Sequence, residues 1–554
     1  MKKISKILLI FLLSIIVLVV AFKRATRISP PQVVNNFELN EQKIEVSNNL
    51  YTFQDSWLKK NKYGLWEMYA SGAPFELGYK HGILTDSLSA YQELQFVNSI
   101  KEMIPSESYL KFLKHFLGWF NRKLDKYILP EYQQEIYGIS QFTTSEFDFI
   151  GDKYPRILNY HAAHDIGHAL ENMNLVECTA FMTKEARSED GKMLIGRNMD
   201  FSVGDGFAEN KIVAFYKPEK GNKFAFITWA GFVGSVSGMN DKGLVVTINA
   251  ANSSIPMSAK TPVSILAREV LQYASNIEDA YEIIKNRDVF VAELFLIGSV
   301  SDNKTVIIEK SLEKSAVYDA ESDTLIVTNH YQSEELKSTE LNKESFVDGS
   351  SPYRMSRVAQ LLQKNEKHSP TTFAEILRDQ LGLDDKNIGM GNEKAVNQLI
   401  AHHSVIFKPE ELKMWVSAGP FQLGKYLCYD LNLVFNDSLD INSNIFIESE
   451  TIDEDEFLFS DDYSNFIEFK KETERLKNIL KSDNLEQITD IDLDRYISLN
   501  PNFFYTYYIV GECYRLKGEL NKADENFEKA LTLEIARNSE KELIESKKNL
   551  LKKK

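Results

Sequence analysis

The pattern of apolar and polar positions divides the chain into stretches of different period. An uncharged run from Ile7 to Phe22 follows Lys2, Lys3 and Lys6 and precedes Lys23, Arg24 and Arg27. A continuous apolar run with basic flanks predicts a helix that enters a bilayer, and no small-x-small cleavage site follows it. Residues 1–26 therefore read as a membrane anchor or signal segment, with a retained anchor favoured over a removed peptide. Residues 27–50 are polar, carry Pro30-Pro31, and read as a stalk. From 51 to 177 the pattern is mainly helical, with aromatic and aliphatic residues at three- and four-residue spacing over Leu84–Ile104 and Tyr109–Leu129.

At Cys178 the period shortens. Strand-like runs follow at Cys178–Thr183, Met193–Arg197, Ile212–Tyr216, Phe224–Trp229, Gly243–Ile248, Leu294–Val300, Thr305–Glu309 and Thr324–Thr328, with further strands near Ser404 and Met414. Helical patterns at Pro262–Ala274, Ile277–Lys285, Arg354–Gln363 and Thr371–Leu381 fall among and after them. Hairpin-sized connections predict an α+β domain rich in antiparallel strands over 178–436, not a doubly wound parallel sheet. Asp453, Glu454, Asp455, Glu456, Asp461 and Asp462 mark 437–465 as an acidic linker. Residues 466–554 then form a helical tail in which Tyr507, Gly511, Tyr514, Ala523, Phe527 and Ala530 fit the spacing of one tetratricopeptide (TPR-like) repeat. One such unit cannot bury its own face, so it packs on the helix before it or recruits a protein partner.

The net charge of −16 disfavours nucleic acid as a partner. The three cysteines, Cys178, Cys428 and Cys513, cannot all be joined within one molecule, so at least one thiol is free. Cys428 and Cys513 lie in apolar segments and read as buried and inert. Cys178 differs, because it opens a strand directly after the helical region. Attack of its thiol on the preceding carbonyl, followed by hydrolysis of the thioester, would make it a new N-terminus. The freed amine, with an ordinary pKa of about 7.7–8.0, could then serve as its base. Arg197 and Asp200 follow after one hairpin length, where a guanidinium lowers a thiol pKa and a carboxylate can hold an ammonium.

Taken together, the motifs Cys178-Thr179-Ala180-Phe181, Gly196-Arg197-Asn198-Met199-Asp200-Phe201, Gly238-Met239-Asn240-Asp241-Lys242-Gly243-Leu244 with Asn249, Val327-Thr328-Asn329-His330 and Ser356-Arg357 resemble the cysteine branch of the N-terminal-nucleophile (Ntn) hydrolases. The resemblance is to the acyl-coenzyme A:6-aminopenicillanate acyltransferase group, peptidase family C45, related to choloylglycine hydrolases and acid amidases. His403–Pro409 resembles a late strand of that group. The resemblance implies an αββα sandwich over 178 to about 431 and amide-bond hydrolysis or acyl transfer through a Cys178 acyl-enzyme. It implies Cys178 as nucleophile and, through its amine, base, with Arg197 and Asp200 setting its ionisation. Asn249 and Asn329 would present side-chain amides to the oxyanion or the new amine, and Arg357 would complete the charged ring. Arg354 could replace Arg357, and Asn252 competes with Asn249. The best-known acyltransferase of the group has Gly before its nucleophile where Glu177 stands here; that charge could slow the acyl shift or act as its base.

The substrate is then expected to be a small N-acyl amide or peptide, with hydrolysis favoured over transfer because no coenzyme-binding motif is visible; no cofactor and no metal are expected. His161, His164 and His168 could share a helix face, but a polar face explains them equally. The body is expected on the extracytoplasmic side, periplasmic or cell-surface, or secreted if the anchor is removed. The rival reading is a catalytically silent Ntn-fold scaffold that binds through its TPR-like helices.

Overall fold

The structure is a computed structural model and describes residues 2–33, 42–104, 106–163, 165, 176–201, 204–254, 256, 258–482 and 485–551. Two sheets form its centre. The larger, eleven strands among the described residues, is antiparallel throughout except where Trp66–Gly72 runs parallel to Ile212–Pro218. The smaller has seven strands, all antiparallel, with Val176–Thr183 and Leu194–Phe201 as neighbours near its middle and Ala401–Lys408 beside the latter.

Strand alternation sends Ala180, Met182 and Ile195 of the smaller sheet against Val213, Phe215, Val245 and Leu294 of the larger, which seals the two sheets face to face. The outer face of the larger sheet is covered by helices Pro74–Leu84, Pro130–Ser140, Val263–Tyr273 and Ile277–Lys285. The outer face of the smaller is covered by Ser351–Lys364 and Pro370–Leu377, which pack Val358 and Phe373 on Phe181. The order of layers is helix, sheet, sheet, helix.

Two boundaries differ from the sequence reading. The region 51–177 is not mainly helical at its start: Leu50–Phe53, Ser56–Lys60 and Trp66–Gly72 are strands, and with Ile44–Ser47 they extend the larger sheet. The segment before Cys178 is thus built into the sandwich, not set beside it. Its helices are locked on as well: a Cβ on Gly78 of Pro74–Leu84 would lie 1.9 Å from the Glu135 carbonyl oxygen, so the two helices touch backbone to backbone. Likewise the acidic linker contains Ile447–Ile452, the edge strand of the smaller sheet. Its Glu448 and Ser449 face solvent, which hid the strand behind a charge run.

The five helices Asp461–Ser482, Asp490–Leu499, Phe504–Lys517, Leu520–Leu531 and Asn538–Leu551 share a separate core. Gly511 lets Phe504–Lys517 and Leu520–Leu531 close up, with the Phe527 ring 2.6 Å from where a Cβ would stand. This pair packs on Asp461–Ser482 and Asp490–Leu499 through Phe469 and Tyr496. At the other end, Lys2–Ala25 is one helix whose apolar side chains are exposed, and Lys6–Ala25 is long and apolar enough to cross a membrane.

Candidate active site

Val176–Thr183 pairs with Leu194–Phe201 so that Glu177 stands opposite Asp200, Cys178 opposite Met199 and Ala180 opposite Arg197. Cys178 and Arg197 therefore point into the space between the sheets, whereas Glu177, Thr179 and Asp200 point toward the layer of Ser351–Lys364. The fully buried Arg197 donates from Nη2 to Cys178 Sγ at 3.1 Å and to Ile248 O at 2.7 Å, and from Nη1 to Ser237 Oγ at 2.8 Å and His403 Nε2 at 3.1 Å. Burial pushes the thiol up to about 11, and Arg197 is the strongest pull in the other direction. His403, buried beside Arg197, is held well below its ordinary range and accepts in its neutral form.

The backbone end of Cys178 is held as firmly as its thiol. Its N–H donates to Asn329 Oδ1 at 3.1 Å, and Asn329 Nδ2 donates to Ala250 O at 2.8 Å, so the amide of Asn329 turns its oxygen toward the prospective amine. Arg354 donates to Cys178 O and Thr179 Oγ1, each at 2.7 Å, and to Asn329 Oδ1 at 2.9 Å. Arg357 does not reach this ring. It grips Asp379 with Nε at 2.9 Å and Nη2 at 2.7 Å and pairs with Asp385 at 2.8 Å. Three residues advance a helix by about 300° and 4.5 Å, which moves the second arginine off the Cys178 strand. Arg354, the alternative one helical turn earlier, occupies the place expected of Arg357.

Asn249 bonds to the backbone that leads into Asn329. Its Nδ2 donates to Thr328 O at 3.0 Å and Val327 O at 3.4 Å, so it ties the segment before Asn329 to the larger sheet, while its Oδ1 is buried without a partner. Asn252 is half-buried and donates to Leu341 O at 3.4 Å. Asp200 is buried with neither carboxylate oxygen hydrogen-bonded. Burial raises it to about 8 against the pull of Arg354, so it carries a proton at neutral pH.

That shift makes a prediction for the uncut chain. Asp200 binds its proton up to about pH 8 when folded but only to about 4 when unfolded, so stability falls as pH rises between those values. Glu67, raised by burial to about 7, acts in the same direction. Urea denaturation of Cys178→Ala is expected to give a lower midpoint at about pH 8.5 than at about pH 5.5, and Asp200→Asn is expected to flatten the difference.

Sequence reasoning missed Ser237, Ser350, Gln398 and Arg537. Ser350, Gln398 and Arg537 surround the Glu177 carboxylate together with Arg354. No motif marks them, because they are remote in sequence and meet only through the fold. Of the histidine cluster, His164 and His168 lie outside the described residues. His161 is neutral, lowered to about 4 by burial, with Nδ1 donating to Ile157 O and Nε2 accepting from Val233 N. Among the described residues no three His, Cys, Asp or Glu side chains stand together as a metal site. Cys428 and Cys513 are buried, and burial raises both thiols.

Residues 186–422 match the family model described as acyl-coenzyme A:6-aminopenicillanic acid acyl-transferase; the match begins after Cys178. The chain is 24% identical over 318 residues to an uncharacterized protein of Archaeoglobus fulgidus, covering 50% of this chain and 52% of that one. It is 23% identical over 249 residues to an N-acylethanolamine-hydrolyzing acid amidase of Caenorhabditis elegans, covering 42% of this chain and 66% of that one. It thus spans between about half and two-thirds of the length of these curated relatives. Among solved structures, a mutant of conjugated bile acid hydrolase from Clostridium perfringens aligns with a TM-score of 0.33 at 15% identity, over 49% of this chain and 95% of that one. With the family model and the motifs in the family's order on the strands described above, the region 186–422 resembles the acyl-coenzyme A:6-aminopenicillanic acid acyl-transferase family of cysteine Ntn hydrolases.

Proposed function

We propose that the chain is an amide-bond hydrolase that activates itself by breaking the bond between Glu177 and Cys178 and then cleaves small N-acyl amides or peptides. One observation carries this reading. The thiol of Cys178 already has Arg197 at 3.1 Å, and its backbone nitrogen already has Asn329 Oδ1 at 3.1 Å, before any amine has been freed. Both atoms that the chemistry needs are held by groups suited to them.

In self-cleavage the sulfur attacks the Glu177 carbonyl carbon. A C–S bond forms, the C–N bond breaks, and the thiol proton ends on the departing nitrogen of Cys178. Water then cleaves the thioester, leaving a carboxylate on Glu177, the thiol, and a free amine. That amine titrates near neutrality and takes the thiol proton when an external amide is attacked in the same way. The buried Asp200 lacks a partner in the uncut chain, and the new ammonium supplies one. Hydrolysis is favoured over acyl transfer, since water is abundant outside the membrane. The apolar helix Lys2–Ala25 supports an anchored body on the extracytoplasmic side.

Intact-mass analysis of the full-length protein after incubation tests the reading. The expected result is a break between Glu177 and Cys178, giving pieces of 177 and 377 residues. A chain that stays whole, with Cys178 inert to thiol probes, would sink it.

A further inference from the structure

In the uncut chain the acyl group next to the Cys178 thiol is that of Glu177, and its side chain sits in a built pocket. Oε1 accepts from Ser350 Oγ at 3.0 Å and from Arg537 Nη2 at 3.0 Å. Oε2 accepts from Ser350 Oγ at 2.9 Å and Gln398 Nε2 at 2.7 Å, and pairs with Arg354 Nη2 at 3.0 Å. Arg354 comes from the helix layer over the smaller sheet. Arg537 comes from the C-terminal extension, where it also reaches Glu393 Oε2 at 2.6 Å. Two guanidinium groups, one on each carboxylate oxygen, and two neutral donors around one carboxylate are more than a surface glutamate needs, and charge-assisted bonds of this kind are the strong ones. A carboxylate so engaged is an anchor, not a free base.

We propose that this pocket is the acyl-specificity site of the cut enzyme and that it selects acyl groups bearing a carboxylate separated by three carbons from the scissile carbonyl, as in glutaryl amides and in peptides cleaved after glutamate. The inference rests on the self-cleavage reading above. In both reactions the Cys178 sulfur bonds to the acyl carbon, so a substrate's acyl carbon takes the place of the Glu177 carbonyl carbon and its chain enters the same pocket. The amine leaves with the thiol proton, and water releases the diacid. A neutral acyl chain would leave Ser350, Gln398 and the two guanidinium groups each one acceptor short in a buried site, which is a strong ground on which a site rejects an analogue. A cavity of about 500 Å³ between the extension and the catalytic domain, lined by Phe466, Phe503 and Tyr505, adjoins the pocket at Gln398 and at Glu393, the second partner of Arg537; Cys178 itself is fully buried in the uncut chain. Through Arg537 the extension becomes part of the substrate site, and Glu177 is the built-in competitor that a substrate displaces.

The test compares N-glutaryl and N-pentanoyl p-nitroanilides on the full-length protein, with self-cleavage followed by mass in the same samples. The expected kcat/KM is at least about 100-fold higher for the glutaryl amide. Arg537→Gln is expected to shrink that ratio by about tenfold or more, chiefly through KM, with Arg537→Lys restoring part of it. If Arg537→Gln does not fold, Ser350→Ala reads the same ratio. Cut enzyme that prefers the pentanoyl amide or hydrolyses neither, or a ratio unmoved in a folded variant, overturns the specificity and leaves self-cleavage standing. A parent chain that stays whole and turns over neither amide overturns both.

Discussion

Cys178→Ala is expected to leave the protein as a single chain of 554 residues under every condition in which the parent separates at Glu177. Turnover of any amide that the parent hydrolyses should fall by a factor on the order of 10⁴ or more. The substitution removes one small buried atom from a site already closed on all sides, so folding should survive and the uncut chain should melt cooperatively. The parent's own rate should be modest. Burial holds the thiol near 11, Glu177 is committed to two arginines, Asp200 carries a proton, and His403 is held well below its ordinary range, so the uncut site contains no free strong base. Cys178→Ser should be slower still, since a hydroxyl is a poorer nucleophile than a thiol without a base beside it. Time-resolved mass measurements on the three proteins decide the matter. A break at the same bond in Cys178→Ala would show that an outside protease makes it.

The strand that carries Cys178 and the hairpin to Arg197 were legible because an apolar run with a period of two needs only its own residues to be recognised, although the strand begins two residues earlier than expected, at Val176. Antiparallel pairing across that hairpin then sets Arg197 on the face of Cys178. Which arginine of the helix Ser351–Lys364 turns inward was not legible, because helix phase relative to a strand is fixed by tertiary packing; Arg354 and Arg357 differ by less than one turn. The strands Leu50–Phe53, Ser56–Lys60 and Trp66–Gly72 were absorbed into a helical reading because each is short and only partly alternating. Arg537 was out of reach altogether. It stands 360 residues from Glu177, in a tail whose spacing speaks of helix packing alone, and its partner is decided by how the extension docks.

Arg354→Ala is expected to destabilise the uncut chain by about 3–5 kcal/mol, the usual result of removing one partner from a buried, hydrogen-bonded charge pair. Its guanidinium is fully buried and satisfies Cys178 O, Thr179 Oγ1, Asn329 Oδ1 and the Glu177 carboxylate. Alanine leaves these acceptors buried with fewer donors than they had. Arg537 then remains as the ion-pair partner of Glu177, and it is the more accessible of the two arginines. The damage reaches the chemistry by a second path: Asn329 loses the donor that fixes its oxygen against the Cys178 nitrogen, so self-cleavage should slow even under conditions where the variant stays folded. Arg357→Ala is the control that separates the two arginines. It removes the grip on Asp379 and Asp385 outside the ring, should lower stability by less, and should leave the break at Glu177 close to the parent rate. Guanidinium denaturation and the time course of the break, measured together on both variants, test this. Equal effects on cleavage would mean that the Cys178 backbone is held by the helix as a whole and not by the contacts of Arg354.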